Sequence, residues 1–333
     1  MRCSRPLLAL TAAALLASAG CGASQAAGED AAAATSSSAT SSSATSSSSA
    51  PESASASAAP ESSAPPTPSP AQLPGGGTRV FPDHRLVGFA GAPSSPAFGR
   101  LTGDLAAAAD QLRQQAAGYG GDRPVLPVFE LIGTVAHDKP GPNGTYATAA
   151  DDAVVQQYLD AARAAGALLL INIQPGTGDF LPAVQYYEKW LVQPDVGIAL
   201  DPEWAVERGQ VPGTVFGHTT GAELDSVSAY LDGLVAAGHL PQKVMLYHQL
   251  HADIVSGQEQ LLDRPGVAVV KSVDGIGAAA DKVGTYQRVM AGTPPFVHAG
   301  FKLFYEEDAR SGPLMEPGAV LALVPQPEYV LYE

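Results

Sequence analysis

Short apolar runs rich in β-branched residues recur along the chain from residue 85 onward: Arg85 to Ala90, Val125 to Ile132, Leu168 to Ile173, Val196 to Leu200, Lys243 to His248, Val267 to Val273, Gly300 to Phe304 and Tyr329 to Tyr332. Each has the length of a buried strand, and the segments between them carry apolar residues at helical spacing. Phe180, Val184, Tyr187 and Leu191 fall on one face at 3.6 residues per turn, as do Leu224, Val227, Leu231, Leu234 and Val235. Thr220 followed by Glu223 makes a capping-box start for the second of these helices.

Strands alternating with helices over about 250 residues predict a single (β/α)8 barrel of the TIM type across 78–333, with an open doubly wound sheet as the alternative. The last run lies next to Glu333, so no helix follows it in this sequence. Either the barrel is open on that side or residues before Arg85 cover the gap. No repeat of 20 to 50 residues is present that would suggest a solenoid.

The first 77 residues have a different character. Arg2 and Arg5 precede the apolar run from Leu7 to Leu16, which is too short to span a bilayer. Residues 1–20 therefore read as an export signal. Ser18-Ala19-Gly20 before Cys21 resembles a bacterial lipobox, which implies lipidation at Cys21 and a membrane-anchored extracytoplasmic protein, with plain secretion as the alternative. Residues 21–77 are Ala, Ser, Thr and Pro with almost no large apolar side chain, a composition that predicts a disordered tether. Such a coil reaches roughly 40 Å on Gly/Ser-linker scaling.

Composition narrows the chemistry. The only cysteines are Cys3 and Cys21, so the folded part can hold no disulfide, thiolate nucleophile or thiolate metal site. The formal charge of −15 excludes the basic face that nucleic acid requires. Neither a GxGxxG nor a Walker loop is present, no cofactor is expected, and the Gly-x-Ser-x-Gly elbow of α/β-hydrolases is missing. A monomer is expected.

Polar groups gather where the apolar runs end, which in a parallel barrel is the catalytic face. Asp201 and Glu203 follow Val196 to Leu200; in an extended segment they leave the same side, with Pro202 stiffening the backbone between them. Two close carboxylates separate their pKa values and leave one proton available, as glycoside hydrolysis requires. The bland alternative has Asp201 capping a turn and Glu203 pairing with Arg208. Glu130 is a lone carboxylate in an apolar run: either the distant partner of Glu203 or an outward-facing strand end. His248, Gln249 and Asp274 end two further runs and are candidate substrate-binding residues, as are Lys302, Tyr305 and Trp204. His251 adds a donor without a motif. A metal site built from Asp201, Glu203, His248 and Asp274 has no ligand-spacing motif behind it.

The segments Leu200-Asp-Pro-Glu-Trp204, Leu240 to Gln249, Val273-Asp-Gly-Ile-Gly277 and Gly300 to Tyr305 resemble an uncharacterised group of exported bacterial lipoproteins, across essentially all of Leu86 to Glu333. That resemblance implies a glycoside-hydrolase-like barrel and carries no catalytic assignment. Asp201 and Glu203 are also similar to the Asp-x-Glu of barrel muramidases. The function expected is an extracytoplasmic glycoside hydrolase acting on a cell-wall or extracellular polysaccharide. Its proton donor is Glu203 and its second carboxylate Asp201 or Glu130. The alternatives are a non-catalytic carbohydrate- or partner-binding barrel and a metal-dependent hydrolase.

Overall fold

In a computed structural model of the protein, residues 71–141 and 143–333 are described. The export signal, Cys21 and most of the tether lie outside the described residues. Each of the apolar runs forms a strand: β1 (Arg85–Gly91), β2 (Val125–Ala136), β3 (Leu168–Ile173), β4 (Val196–Leu200), β5 (Lys243–Gln249), β6 (Val267–Val273), β7 (His298–Leu303) and β8 (Tyr329–Tyr332). All pair in parallel with their sequence neighbours, and β1 pairs with both β2 and β8, so the sheet closes into an eight-stranded barrel.

Helices α1 (Leu105–Ala117), α2 (Asp152–Ala164), α3 (Phe180–Gln185), α4 (Glu188–Leu191), α5 (Gly221–Gly238), α6 (Ala279–Met290) and α7 (Pro317–Leu321) lie in the connections. The stripe at Phe180, Val184, Tyr187 and Leu191 is buried as expected but is shared between two short helices, α3 and α4. The connection from β5 to β6 holds a two-residue strand, Val255–Ser256, and a 3-10 turn, Gln258–Gln260, but no α-helix, because residues 250–266 carry Gly, Pro and polar side chains without an apolar stripe. The (β/α)8 pattern is thus missing a helix there. At the start of α5, Glu223 N donates to Thr220 Oγ1 at 3.1 Å, one half of the capping box. The Glu223 carboxylate is used elsewhere, accepting from Phe180 N at 2.9 Å and Thr219 Oγ1 at 2.6 Å. It thereby ties α5 to α3.

Two buried clusters divide the strand residues by parity. Val87, Phe89, Phe129, Leu131, Leu169, Ile171, Ile198, Leu200, Met245 and Tyr247 pack against the helices. Leu86, Ala90, Leu126, Val128, Leu168, Leu170, Ala199, Val244, Leu246, Ala268, Val270, Tyr329 and Leu331 fill the barrel interior. Gly197 belongs to the inward set because a Cβ there would lie 2.6 Å from Val244 O.

Leu73, Val80 and Phe81 join the interior cluster. Gln242 N donates to Thr78 O at 2.8 Å and Val80 N to Gln242 Oε1 at 2.9 Å, which places this segment at the N-terminal ends of the strands as a floor. Neither expectation about the β8 side holds, since strand pairing closes the barrel and the upstream residues plug its base. The tether also ends earlier than expected. Leu73 is buried, and it and Gly77 close a turn through Leu73 N to Gly77 O at 2.9 Å, because a leucine that can reach the barrel floor gains by burial.

Candidate active site

One step further along the inward set of seven of the eight strands, the apolar filling gives way to polar side chains: Glu130 on β2, Asn172 on β3, Asp201 after β4, His248 on β5, Ser272 and Asp274 on and after β6, Lys302 on β7 and Glu333 after β8. Strand alternation alone delivers this layer, since each is two residues beyond an inward apolar or glycine position, except Asp274, which follows Ser272. The apolar interior below excludes water from its underside and strengthens every charge interaction within it.

His248 lies at the centre and is fully buried. Its Nε2 is 2.8 Å from Glu130 Oε1 and 3.7 Å from Asp201 Oδ1, and its Nδ1 is 2.8 Å from Asp274 Oδ2. The last contact is an ion-pair approach, too bent to be an aligned hydrogen bond. Burial alone would lower the pKa of His248, but Asp274, Glu130 and Asp201 outweigh it and hold the ring well above the usual histidine range, as an imidazolium. Both ring nitrogens thus face carboxylates.

Glu130 is completely buried and fully satisfied. Asn172 Nδ2 donates to its Oε1 at 3.0 Å, the His248 ring lies on the same oxygen, and the Tyr329 hydroxyl donates to Oε2 at 2.7 Å. Burial opposes its ionisation, yet the His248 charge, its hydrogen bond and Lys302 hold the carboxyl below the usual range. The side chain points inward, not outward at a strand end, and it lies buried as a counterion to His248.

Asn172 also donates to Asp201 Oδ1 at 3.0 Å, and Gln174 Nε2 donates to Asp201 Oδ2 at 3.1 Å. Burial raises the Asp201 pKa, and Glu130 adds to that, against lowering by His248, Lys302 and Asn172. Asp274 accepts from Ser272 Oγ at 2.9 Å. Burial works against its ionisation, but His248 and Lys302 win and hold it well below the ordinary carboxylate range. Lys302 Nζ sits 3.3 Å from Asp274 Oδ2 and 2.8 Å from Glu333 Oε2. Its backbone oxygen accepts from the buried Lys282 ammonium at 3.0 Å, itself paired with Asp308 at 2.9 Å.

Glu203 behaves differently. β4 ends at Leu200, and Pro202–Trp204 form a 3-10 turn, so Asp201 and Glu203 are not two residues of one extended strand. Pro202 opens that turn, a position that suits its fixed φ, instead of stiffening a strand. Burial nevertheless pushes the Glu203 pKa well up, with Asp201 and Asp274 adding to the rise against a smaller opposing pull from His248. The residue as a whole is half-buried, while its Oε2 is buried and meets no hydrogen-bond partner among the described residues. Glu203 thus has a carboxyl whose pKa burial holds up and a buried oxygen without a protein partner among the described residues, and no ion pair joins it to Arg208 there.

The other candidates separate. Asp201, Asp274 and Lys302 are brought together, but Gln249 has the parity opposite to His248. Its amide donates to His251 O at 2.9 Å and Ala252 O at 3.1 Å, which holds the loop. Tyr305 lies on the α1 side, stacked with Tyr332 at 5.3 Å and covered by Arg100 at 4.4 Å. That ring is half-buried and lines an open cavity with Phe89, Arg100 and Gln115. Trp204 shares the Glu203 turn and is half-buried. Asn172, Gln174, Ser272, Tyr329 and Glu333 were not anticipated. Asn172 had a readable signal, a lone amide at an inward position of an otherwise apolar strand.

No family model matches the chain, and no curated protein matches it. Among solved structures, a GH18 chitinase from Pseudoalteromonas aurantia is similar over 74% of this chain and 93% of its own, at 12% identity and a TM-score of 0.39. A Salmonella typhimurium protein assigned provisionally as an α-amylase is similar over 71% of this chain and 35% of its own, at 14% identity and a TM-score of 0.19. At these scores the likeness carries no argument; the barrel and its site rest on the geometry above.

Proposed function

We propose that the protein is an extracytoplasmic glycoside hydrolase, lipid-anchored through Cys21, acting on a cell-wall or extracellular polysaccharide. The observation that carries the reading is the Glu203 carboxyl: proton-retaining, half-buried at the rim, with Oε2 unpaired and carboxylates nearby. A general acid for glycoside cleavage needs a raised pKa and a free bonding direction toward the leaving oxygen. Glu203 gives its proton to the glycosidic oxygen as the bond to the anomeric carbon breaks. The positive charge developing on the sugar faces Asp201 and the ionised Asp274. Water then adds to the anomeric carbon, and the proton it releases restores Glu203 directly or through Asp201. His248, held by Glu130 and Asp274, orients this ring of acids and limits the repulsion within it.

A binding barrel without turnover is the second reading, favoured by the burial of the ring: Asp201, Asp274 and Lys302 are only 5%, 6% and 7% exposed. The two readings separate on release of reducing ends from a panel of bacterial wall glycans and soluble polysaccharides, with Glu203→Gln beside the parent. Release that the variant abolishes supports the hydrolase and names the substrate class. Retention of the polymer without release supports the binding barrel, and release that the variant preserves refutes Glu203 as the acid.

A further inference from the structure

Phe216 is 58% exposed and stands in the segment between β4 and α5, beside the turn that carries Glu203. Exposed aromatic rings are ordinary on mobile loops, but this one is fixed from several directions. Gly217 N donates to Glu203 O at 2.6 Å and His218 N to Ala205 O at 3.0 Å. A Cβ at Gly217 would lie 2.3 Å from Ala205 O, so this backbone approach requires glycine. Thr219 and Thr220 then pair in parallel with Val255 and Ser256, and Thr219 N donates to Ile254 O at 2.9 Å, which joins the loop after β4 to the loop after β5.

The joined loops bring His251 against Phe216, ring centroids 5.6 Å apart at 58°. Between Phe216, His218, His251, Asp253 and Ile254 lies an open groove of about 190 Å3. It is smaller than the roughly 300–1,000 Å3 pocket of a drug-sized ligand, as a place for a single ring would be. One wall is an aromatic face and the others present imidazole and carboxylate groups, a combination that matches a pyranose, apolar on its C–H face and ringed by hydroxyls.

We propose that this groove is a glycan subsite: Phe216 carries the C–H face of one pyranose of a chain whose neighbouring bond lies at Glu203, while His251, His218 and Asp253 meet its hydroxyls. The placement rests on the glycosidase reading of Glu203; the binding itself does not. The hydrogen bonds of Gly217 and His218 hold the backbone beside Phe216 against the Glu203 turn, which lowers the ordering cost of the platform when the glycan arrives.

The test uses the full chain carrying Glu203→Gln, so that the polymer survives, and measures retention on peptidoglycan sacculi and affinity for soluble linear polysaccharides. Phe216→Ala is expected to weaken binding about tenfold or more, and Phe216→Trp to retain it. Circular dichroism of each variant checks the fold. Equal binding by Phe216→Ala, or no binding by the Glu203→Gln parent to any polymer, overturns the subsite. The failures are separable. Phe216-dependent binding by a protein whose Glu203-intact form releases no reducing ends leaves the subsite and removes the hydrolase. Release with Phe216-independent affinity does the reverse.

Discussion

Replacing Glu130 by alanine removes the counterion on which the polar layer is balanced. The carboxylate is fully buried and accepts from Asn172, Tyr329 and the His248 ring. Without it, His248 and Lys302 keep their charges against fewer acids, and two amide or hydroxyl donors lose their acceptor. Breaking a buried pair from one side costs about 3–5 kcal/mol. Each orphaned donor would add about 1–3 kcal/mol if independent, but they share one network, so the sum is not taken. A loss of about 3–5 kcal/mol is expected, a fall in Tm of roughly 6–20 °C at the 2–4 °C per kcal/mol of a domain this size. The pH must be chosen with care. Glu130 is held below its ordinary range, so its contribution is present above the unfolded carboxylate value and lost as pH falls through the folded one. His248 is held above its range, so its contribution is full below the unfolded histidine value and lost as pH rises through the folded one. Both are complete near pH 5.5, between roughly 4.3 and 6.5. Urea unfolding at that pH, with an unchanged m value, gives the difference directly. A loss under about 1 kcal/mol would refute the charged His248–Glu130 pair on which the layer is argued.

Glu203→Gln is expected to stabilise the protein at pH 7 and not at pH 4. A carboxyl whose folded pKa is raised opposes folding once the unfolded chain ionises, and glutamine removes that penalty; denaturant melts at the two pH values check the sign. Lys302→Met removes a cation that lowers the Asp201 and Asp274 pKa values, so the acid limb of the pH–rate profile should move to higher pH; an unmoved limb would separate Lys302 from the acids. Thr220→Ala takes away the N-cap of α5 and should cost about 1 kcal/mol in urea unfolding.

The barrel was legible because burial on both faces leaves parallel strands as continuous apolar runs, and these are visible one by one without knowledge of their partners. The helix at residues 180–191 was legible as a stripe, but its division was not, since nothing in the period marks the change of direction at Tyr186 and Tyr187. Helical expectation failed wherever the stripe was absent, as in 250–266. In the site, carboxylates at strand ends were visible as residue types, and strand parity could have placed them. The same parity separates His248 from Gln249, and Asn172 from the apolar residues around it. What local pattern could not supply was partnership across the barrel. Glu130 and His248 are 118 residues apart, and whether an isolated acid in an apolar run is a catalyst or a counterion depends on what closes over it. The neighbours of Tyr305 were illegible for the same reason, since Arg100 and Tyr332 meet its ring from distant parts of the chain. Pro202 was read as stiffening a strand, whereas it opens a 3-10 turn; both uses fit its fixed φ, and tertiary context decides between them.

The account turns on where the proton resides in this layer of acids. Carbon-13 carboxyl NMR with labelled glutamate follows each Glu titration separately, and Glu203→Gln assigns its signal by removing it. One glutamate titrating well above the ordinary carboxylate range, lost in that variant, while another stays ionised well into acid and is lost in Glu130→Gln, is the predicted result. A Glu203 signal that titrates in the ordinary range would contradict the assignment of Glu203 as the proton donor.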